Sequence, residues 1–406
     1  MDVVVVGGGL AGASAVGTLR DEGFDGRLTL IGEEPVPPYE RPPLSKEYLR
    51  GETVEPQWVR PSDWYDENAV ELRLGVRADG VSVPSGEVLL ADGARVGYDR
   101  LLIATGVRNR RLEVPGADLG GVFDIRFVPD ADRLREAAGA ASRVVIVGAG
   151  FIGCEVAASF RQLGLEVTVV EFFETPLFRV IGAELGRAVE ALHSDHGVDF
   201  VFGDAVERFE GGDRFEAVVT KGGRRVEGDL AVVGVGTQPV TPLDLGNPHP
   251  QGGFPVGPTL ESIAGDGIFA AGDVADHAHP VFGWIRVEHY DNAIKMGQTA
   301  ARNMLGANEV FDDPHWFWSD QYDAQIQMSG YATEWDDMVV RGSIEDRSFA
   351  AFLLKGGILR STVTMDWKLD CRRSMPLIAT QARPARALLA DPEFDLRTLH
   401  PPKGAG

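Results

Sequence analysis

Six glycines and two acids give this 406-residue chain its first chemical signal. Gly7, Gly9 and Gly12 fall at the G-x-G-x-x-G spacing within DVVVVGGGLAGASA, and Glu33 stands 21 residues past the third glycine. Gly148, Gly150 and Gly153 repeat the spacing within GAGFIGCEVA, and Glu171 stands 23 residues past Gly148. The chemistry such a pattern serves is the grip on a dinucleotide. The first glycine permits a tight turn, the second lets backbone approach a pyrophosphate, and a helix N-terminus turns N–H groups toward it, while the acid accepts ribose hydroxyls. Two copies imply two dinucleotides, one held and one exchanging; the alternative is that one copy is a decayed duplicate.

Each copy needs a strand before the glycines and a helix after them. Residues 3–6 and 143–147 are short apolar strands, Leu10 to Arg20 is periodic as a helix, and strands at 27–31 and 166–170 lead to the two acids. The strand from Tyr98 to Ala104 ends in Thr105-Gly106, which brings backbone close to a ligand. Residues 267–275, GIFAAGDVA, form a strand ending in Gly272-Asp273. Asp273 there suits either a ribityl or phosphate contact or the N-cap of a following helix. Helices are expected at 130–138, at Glu184 to His193 and at 292–304. His193 and His196 read as surface residues at a helix end, because no acid or cysteine has metal spacing with them. Between the first acid and residue 50 lies PYERPPLSK, where Pro37, Pro38, Pro42 and Pro43 deny regular structure. A short helix carrying Lys46 can start at Ser45.

Composition changes at Phe311. Trp316, Phe317, Trp318 and Tyr322 crowd one stretch, suited to a core or to covering a flat cofactor. Two strands joined at Gly356-Gly357 and a helical segment from Ser374 to Leu389 make a small α/β domain, and the tail at 401–406 is expected to be disordered.

The net charge is −22. A nucleic-acid role is excluded, since phosphate neutralisation needs a basic surface, and an anionic membrane is an equally poor partner. No stretch is long and apolar enough to span a bilayer. Two cysteines, Cys154 and Cys371, make no disulfide framework or metal site and suit a reducing, cytoplasmic compartment. Two facing dinucleotides imply hydride transfer, with a flavin and a nicotinamide as the common pairing.

Taken with GIFAAGDVA and EHYDNA, the two glycine fingerprints and PYERPPLSK resemble the FAD-dependent pyridine-nucleotide reductases over residues 2–400. Within them the chain is similar to the oxygenase-coupled ferredoxin reductases of the putidaredoxin reductase type. The resemblance implies an α/β fold with two Rossmann-like dinucleotide-binding domains, as in glutathione reductase, and a small α/β C-terminal domain. It divides the chain into an FAD-binding domain at 1–108 and 241–312, an NADH-binding domain at 109–240, a C-terminal domain at 313–400 and the tail. It implies that Gly7, Gly9, Gly12 and Glu33 hold FAD, that Arg41 and Pro43 line its path, and that Thr105, Gly106 and Asp273 contact it. Glu288, His289 and Tyr290 open a segment near the pyrimidine end of the flavin. Gly148, Gly150, Gly153 and Glu171 form the NADH site. Lys46 pairs with Glu155 beside the isoalloxazine, or is a plain interdomain salt bridge. Trp318 lies where electrons leave, or is ordinary core.

The related disulfide reductases carry a cysteine pair, and the peroxidases one cysteine, where residues 34–50 here have none. Electrons are therefore expected to pass from FAD to an outside one-electron carrier, a [2Fe–2S] ferredoxin serving a cytochrome-type or Rieske-type oxygenase. An acidic ferredoxin would call for a local basic patch, for which Arg302, Arg360, Arg372 and Arg373 are candidates. The alternatives are an NADH oxidase, a reductase of another small acceptor, or an interaction flavoprotein like the apoptosis-inducing factors. A monomer or weak homodimer is expected.

Overall fold

The computed structural model describes residues 1–241, 252–263 and 267–400; the tail and its expected disorder lie outside the described residues. The chain divides into two compact units. One comprises Met1–Glu40, Gln57–Arg108 and Gln238–Asp313, the other Arg41–Pro56, Asn109–Thr237 and Pro314–Gly406.

In the first unit the strand Asp2–Val6 is a run of valines buried on both faces, the pattern of a central parallel strand. It pairs in parallel with Arg27–Gly32 on one side and Arg100–Ile103 on the other, and Val70–Leu74 and Ile268–Ala270 complete a five-stranded sheet. The helix Leu10–Asp21 follows the glycine turn and packs against the helix Tyr290–Met304. Gly297 permits this crossing, because a Cβ there would lie 2.3 Å from the Ala11 carbonyl oxygen.

The second unit repeats the plan. Arg143–Val147 is central, with Glu166–Val170 and Val198–Val201 to one side and Leu230–Val233 and Val122–Phe123 to the other, all parallel. The helix Phe151–Gln162 follows its glycine turn. The same unit holds an antiparallel sheet ordered Trp316–Gln321, Ala324–Gly330, Ile358–Met365, Ser348–Lys355 and Asp337–Ser343. The helix Lys368–Ala379 packs on it. Arg341 pins the chain end to this sheet: it pairs with Asp370 at 2.9 Å and donates to the Leu388 and Leu389 carbonyls, with both charged side chains almost wholly buried.

The expected architecture, two Rossmann-like units and a small α/β C-terminal part, is the one found. Local differences have local causes. The last long helix starts at Lys368, ahead of Ser374, and breaks at Thr380 before a second short helix, Arg386–Ala390. The short helix near Lys46 is a 3₁₀ turn over Pro42–Ser45, set by Pro42 at its start, and Lys46 ends it rather than riding within it. Asp273 caps no α-helix: it sits inside the 3₁₀ turn Gly272–Val274, which runs straight into the strand Ala275–His279.

Candidate functional site

Both glycine turns are built to one specification. A Cβ on Gly12 would sit 2.1 Å from the Gly7 carbonyl oxygen, and one on Gly153 2.0 Å from that of Gly148. Each helix starts at the middle glycine, Gly9 or Gly150, with no side-chain cap, and nothing lies within 4 Å of a Cβ built at either. Uncapped helix N–H groups over unfilled space are what a dinucleotide pyrophosphate requires, so both turns fit the group expected there.

The two acids are held differently. Both oxygens of the half-exposed Glu33 accept from Arg108 Nη2, at 2.7 and 2.5 Å. Glu171 is buried, and its oxygens accept the N–H of Ala149 at 2.5 Å and of Phe173 at 2.8 Å. The second acid is thus bolted to its own glycine turn, with lone pairs left for ribose hydroxyls.

Other expected residues of the first unit fall around its strand ends. The Thr105 hydroxyl donates to the Val240 carbonyl at 2.5 Å, and Gly106 accepts the Val240 N–H at 2.9 Å. The Asp273 carbonyl accepts from Arg286, which also pairs with Glu288 at 2.6 Å. His289 immediately precedes the Tyr290–Met304 helix without a side-chain capping bond, and burial lowers its imidazole to about 4. Burial, with a hydrogen bond to Glu40, pushes the Tyr290 phenol up.

In the second unit Lys46 and Glu155 come together at 2.7 Å. Lys46 also donates to the Pro42 carbonyl at 3.1 Å. The Ser45 hydroxyl donates to the same Glu155 oxygen at 2.6 Å, and the Ser319 hydroxyl reaches the other oxygen at 2.7 Å. This buried carboxylate thereby meets three donors. Pro43 is buried in the 3₁₀ turn, and the Arg41 guanidinium lies 5.2 Å over the Phe127 ring.

The residue after Trp318, Ser319, is the one whose hydroxyl bonds Glu155. Successive strand residues face opposite ways. Phe317 meets Phe151 of the glycine helix edge-on, with centroids 4.4 Å apart. Trp316 and Trp318 stack on each other at 5.1 Å, and Arg372 lies 5.0 Å over Trp316. The two tryptophans, Lys368, Leu369 and Arg372 line a cavity of about 380 Å³. Of the other basic candidates, Arg302 is tied to Glu309 at 2.6 Å and Arg373 lies 3.8 Å from Asp370.

Both thiols are buried. The Cys154 thiol donates to the Ala149 carbonyl, and burial pushes it up; burial pushes Cys371 up to about 12. Neither is poised as a thiolate. Among the described residues no group of acids, histidines and cysteines could hold a metal, and no helix is long and apolar enough to cross a membrane.

Residues 1–297 match the pyridine nucleotide-disulphide oxidoreductase family, and residues 316–400 the reductase C-terminal family. The chain belongs to the pyridine nucleotide-disulphide oxidoreductases. It is an oxidoreductase whose two dinucleotides are FAD and NADH. It is 35% identical over 403 residues to rhodocoxin reductase of Rhodococcus erythropolis, covering 98% of this chain and 94% of that one. A ferredoxin reductase from Rhodopseudomonas palustris superposes with a TM-score of 0.92 at 34% identity, covering 99% of this chain and 100% of that one. The covalent putidaredoxin reductase–putidaredoxin complex matches with a TM-score of 0.93 at 30% identity, covering 98% of this chain and 97% of that one.

Three polar residues of this oxidoreductase escape a reading of its motifs. Arg108 holds Glu33 from 75 positions away, with no period to announce it. Ser319 sits beside the conspicuous Trp318 and is masked by it. His193 is the plain correction: the expected surface histidine is fully buried, with Nε2 2.8 Å from Gln321 Oε1. Leu185, Val189 and His193 follow at i, i+4, i+8 on one helix face, and that period was the available signal. His196, off that face, is exposed and stacks on Tyr322 at 3.6 Å.

Proposed function

We infer that this oxidoreductase is an NADH-dependent ferredoxin reductase, passing electrons from NADH to a [2Fe–2S] ferredoxin that feeds an oxygenase. One NADH and two oxidised ferredoxins give NAD⁺, two reduced ferredoxins and a proton. When bound, FAD supplies the conversion between a hydride and single electrons.

The observation that carries this reading is where the thiols are. Segment 34–50 has no cysteine, and both cysteines are buried thiols. With no dithiol to receive them, electrons leave for a separate carrier. Similarity over nearly the whole chain to proteins named as rhodocoxin and ferredoxin reductases supports it.

The chain's own residues then take these roles. Segments 1–108 and 241–312 bind FAD, with Gly7, Gly9 and Gly12 at its pyrophosphate and Glu33, oriented by Arg108, at the adenosine ribose. Arg41, Pro43, Thr105, Gly106, Asp273, Glu288, His289 and Tyr290 line the rest of its path. Segment 109–240 binds NADH: Gly148, Gly150 and Gly153 hold its pyrophosphate, and Glu171 accepts ribose hydroxyls and repels a 2′-phosphate. Lys46, held by Glu155, places positive charge beside the isoalloxazine, and Trp318 borders the electron exit. We place the protein in the cytoplasm, as a monomer or weak homodimer.

The test mixes the pure holoprotein with NADH and a [2Fe–2S] ferredoxin encoded beside it and follows ferredoxin absorbance. Rapid NADH-dependent reduction supports the reading. Flavin reduction without ferredoxin reduction overturns it.

A further inference from the structure

Behind Glu155 runs a chain of buried polar side chains that neither nucleotide site accounts for. Ser319, Gln321 and His193 have no exposed surface. Ser319 Oγ lies 2.7 Å from Glu155 Oε1, Gln321 Nε2 3.1 Å from Ser319 Oγ, and His193 Nε2 2.8 Å from Gln321 Oε1. The Tyr322 hydroxyl lies 3.2 Å from His193 Nδ1.

Chemistry fixes the direction of every bond. The Glu155 carboxylate only accepts, so the single Ser319 proton goes to it, and Ser319 Oγ is left to accept from the Gln321 amide. Gln321 then turns its carbonyl oxygen to His193, whose Nε2 must carry the proton. Burial keeps the imidazole neutral, so Nδ1 accepts from Tyr322. All donors point from Tyr322 toward Glu155, the arrangement in which each bond polarises the next.

An apolar set would pack this space without desolvating any polar group. What the polar set supplies is a fixed carboxylate. Glu155 Oε1 is held from behind by Ser319, which leaves Oε2 to Lys46 and Ser45. A proton wire is excluded by Gln321, since an amide passes a proton only through an unfavourable tautomer. We propose that Ser319, Gln321 and His193 are positioning residues, a one-way hydrogen-bond chain that fixes Glu155 and, through it, the Lys46 ammonium. The proposal rests on the reading that places Lys46 beside the flavin.

The test is stopped-flow reduction of the FAD-loaded protein by saturating NADH, in Ser319→Ala, Gln321→Met and Ser319→Thr, alone and combined with Lys46→Met. Loss of a hydrogen bond to a charged group corresponds to about tenfold in rate. Ser319→Ala is expected to slow flavin reduction by about that factor and Gln321→Met, which loses a bond between neutral groups, by less, both with NADH affinity unchanged, and Ser319→Thr, which keeps the hydroxyl, to restore it. In the Lys46→Met background neither should slow it further, because their route of action is gone. Additive losses there would mark a merely structural role and overturn the proposal. So would wild-type rates in both single variants while Lys46→Met is slow. If Lys46→Met and Glu155→Gln both reduce at the wild-type rate, the flavin-side reading itself fails and takes the proposal with it, whereas ferredoxin reduction is scored separately.

Discussion

Lys46 and Glu155 stand 109 residues apart in the chain and meet with Nζ 2.7 Å from Oε2. Their side chains are 13% and 5% exposed, so solvent screens the pair little. A cation held this way costs no reorganisation when charge develops next to it, which is the economy of a preorganised site. Lys46→Met would leave Glu155 to two serine hydroxyls. The expected result is flavin reduction slowed on the order of 10–100-fold, with an altered visible flavin spectrum. Stopped-flow absorbance checks both, and an unchanged rate and spectrum would remove Lys46 from the flavin site.

Glu171 gives the coenzyme prediction. Its two backbone bonds hold the carboxylate at the glycine turn, where the proposed NADH site puts the adenosine ribose. Glu171→Gln keeps one acceptor and removes the charge that opposes a 2′-phosphate. The ratio of kcat/KM for NADH over NADPH should fall by about tenfold, the equivalent of roughly 1.4 kcal/mol. An unchanged ratio would mean that selection rests elsewhere.

How much of this was legible follows from what each feature depends on. The glycine turns were readable because steric demand falls on residues close in sequence: Gly12 against Gly7, Gly153 against Gly148. The parallel sheets followed from apolar runs such as Val3–Val6. Arg108 on Glu33 and Ser319 on Glu155 were not readable, because tertiary pairing alone brings them together and an isolated serine or arginine has no period. The residue type of His193 points to the surface, while the helix face it shares with Leu185 and Val189 points into the core, and the face decides. Trp318 stood out as an aromatic, yet its strand neighbour turned out to bond the central carboxylate.

Arg341 and Asp370 test stability apart from catalysis. Their side chains are 1% and 2% exposed, and Arg341 also lies 5.6 Å over the Phe352 ring. Asp370→Ala would leave a buried guanidinium without its counter-ion, a loss expected to cost about 3–5 kcal/mol. Urea unfolding of the holoprotein followed by far-ultraviolet circular dichroism would read it. A midpoint within error of wild type would show that the pair contributes nothing net.

Acid should weaken the fold well before its carboxylates protonate. Burial lowers His193 to about 4, His277 to about 3 and His289 to about 4, against 6.5 for a free imidazole. Between those values and 6.5 the unfolded chain binds protons that the folded chain refuses. The contribution of neutral histidine burial is therefore complete above pH 6.5 and declines as pH falls through 6 and 5, by up to about 1.4 kcal/mol per pH unit for each histidine. Urea midpoints at pH 7.5, 6.5 and 5.5 should be nearly level over the first step and drop over the second. His277→Phe, which removes one of the three imidazoles, should make the second drop shallower than in wild type. Equal slopes in the two proteins would show that His277 takes up its proton in the folded state as readily as in the unfolded one.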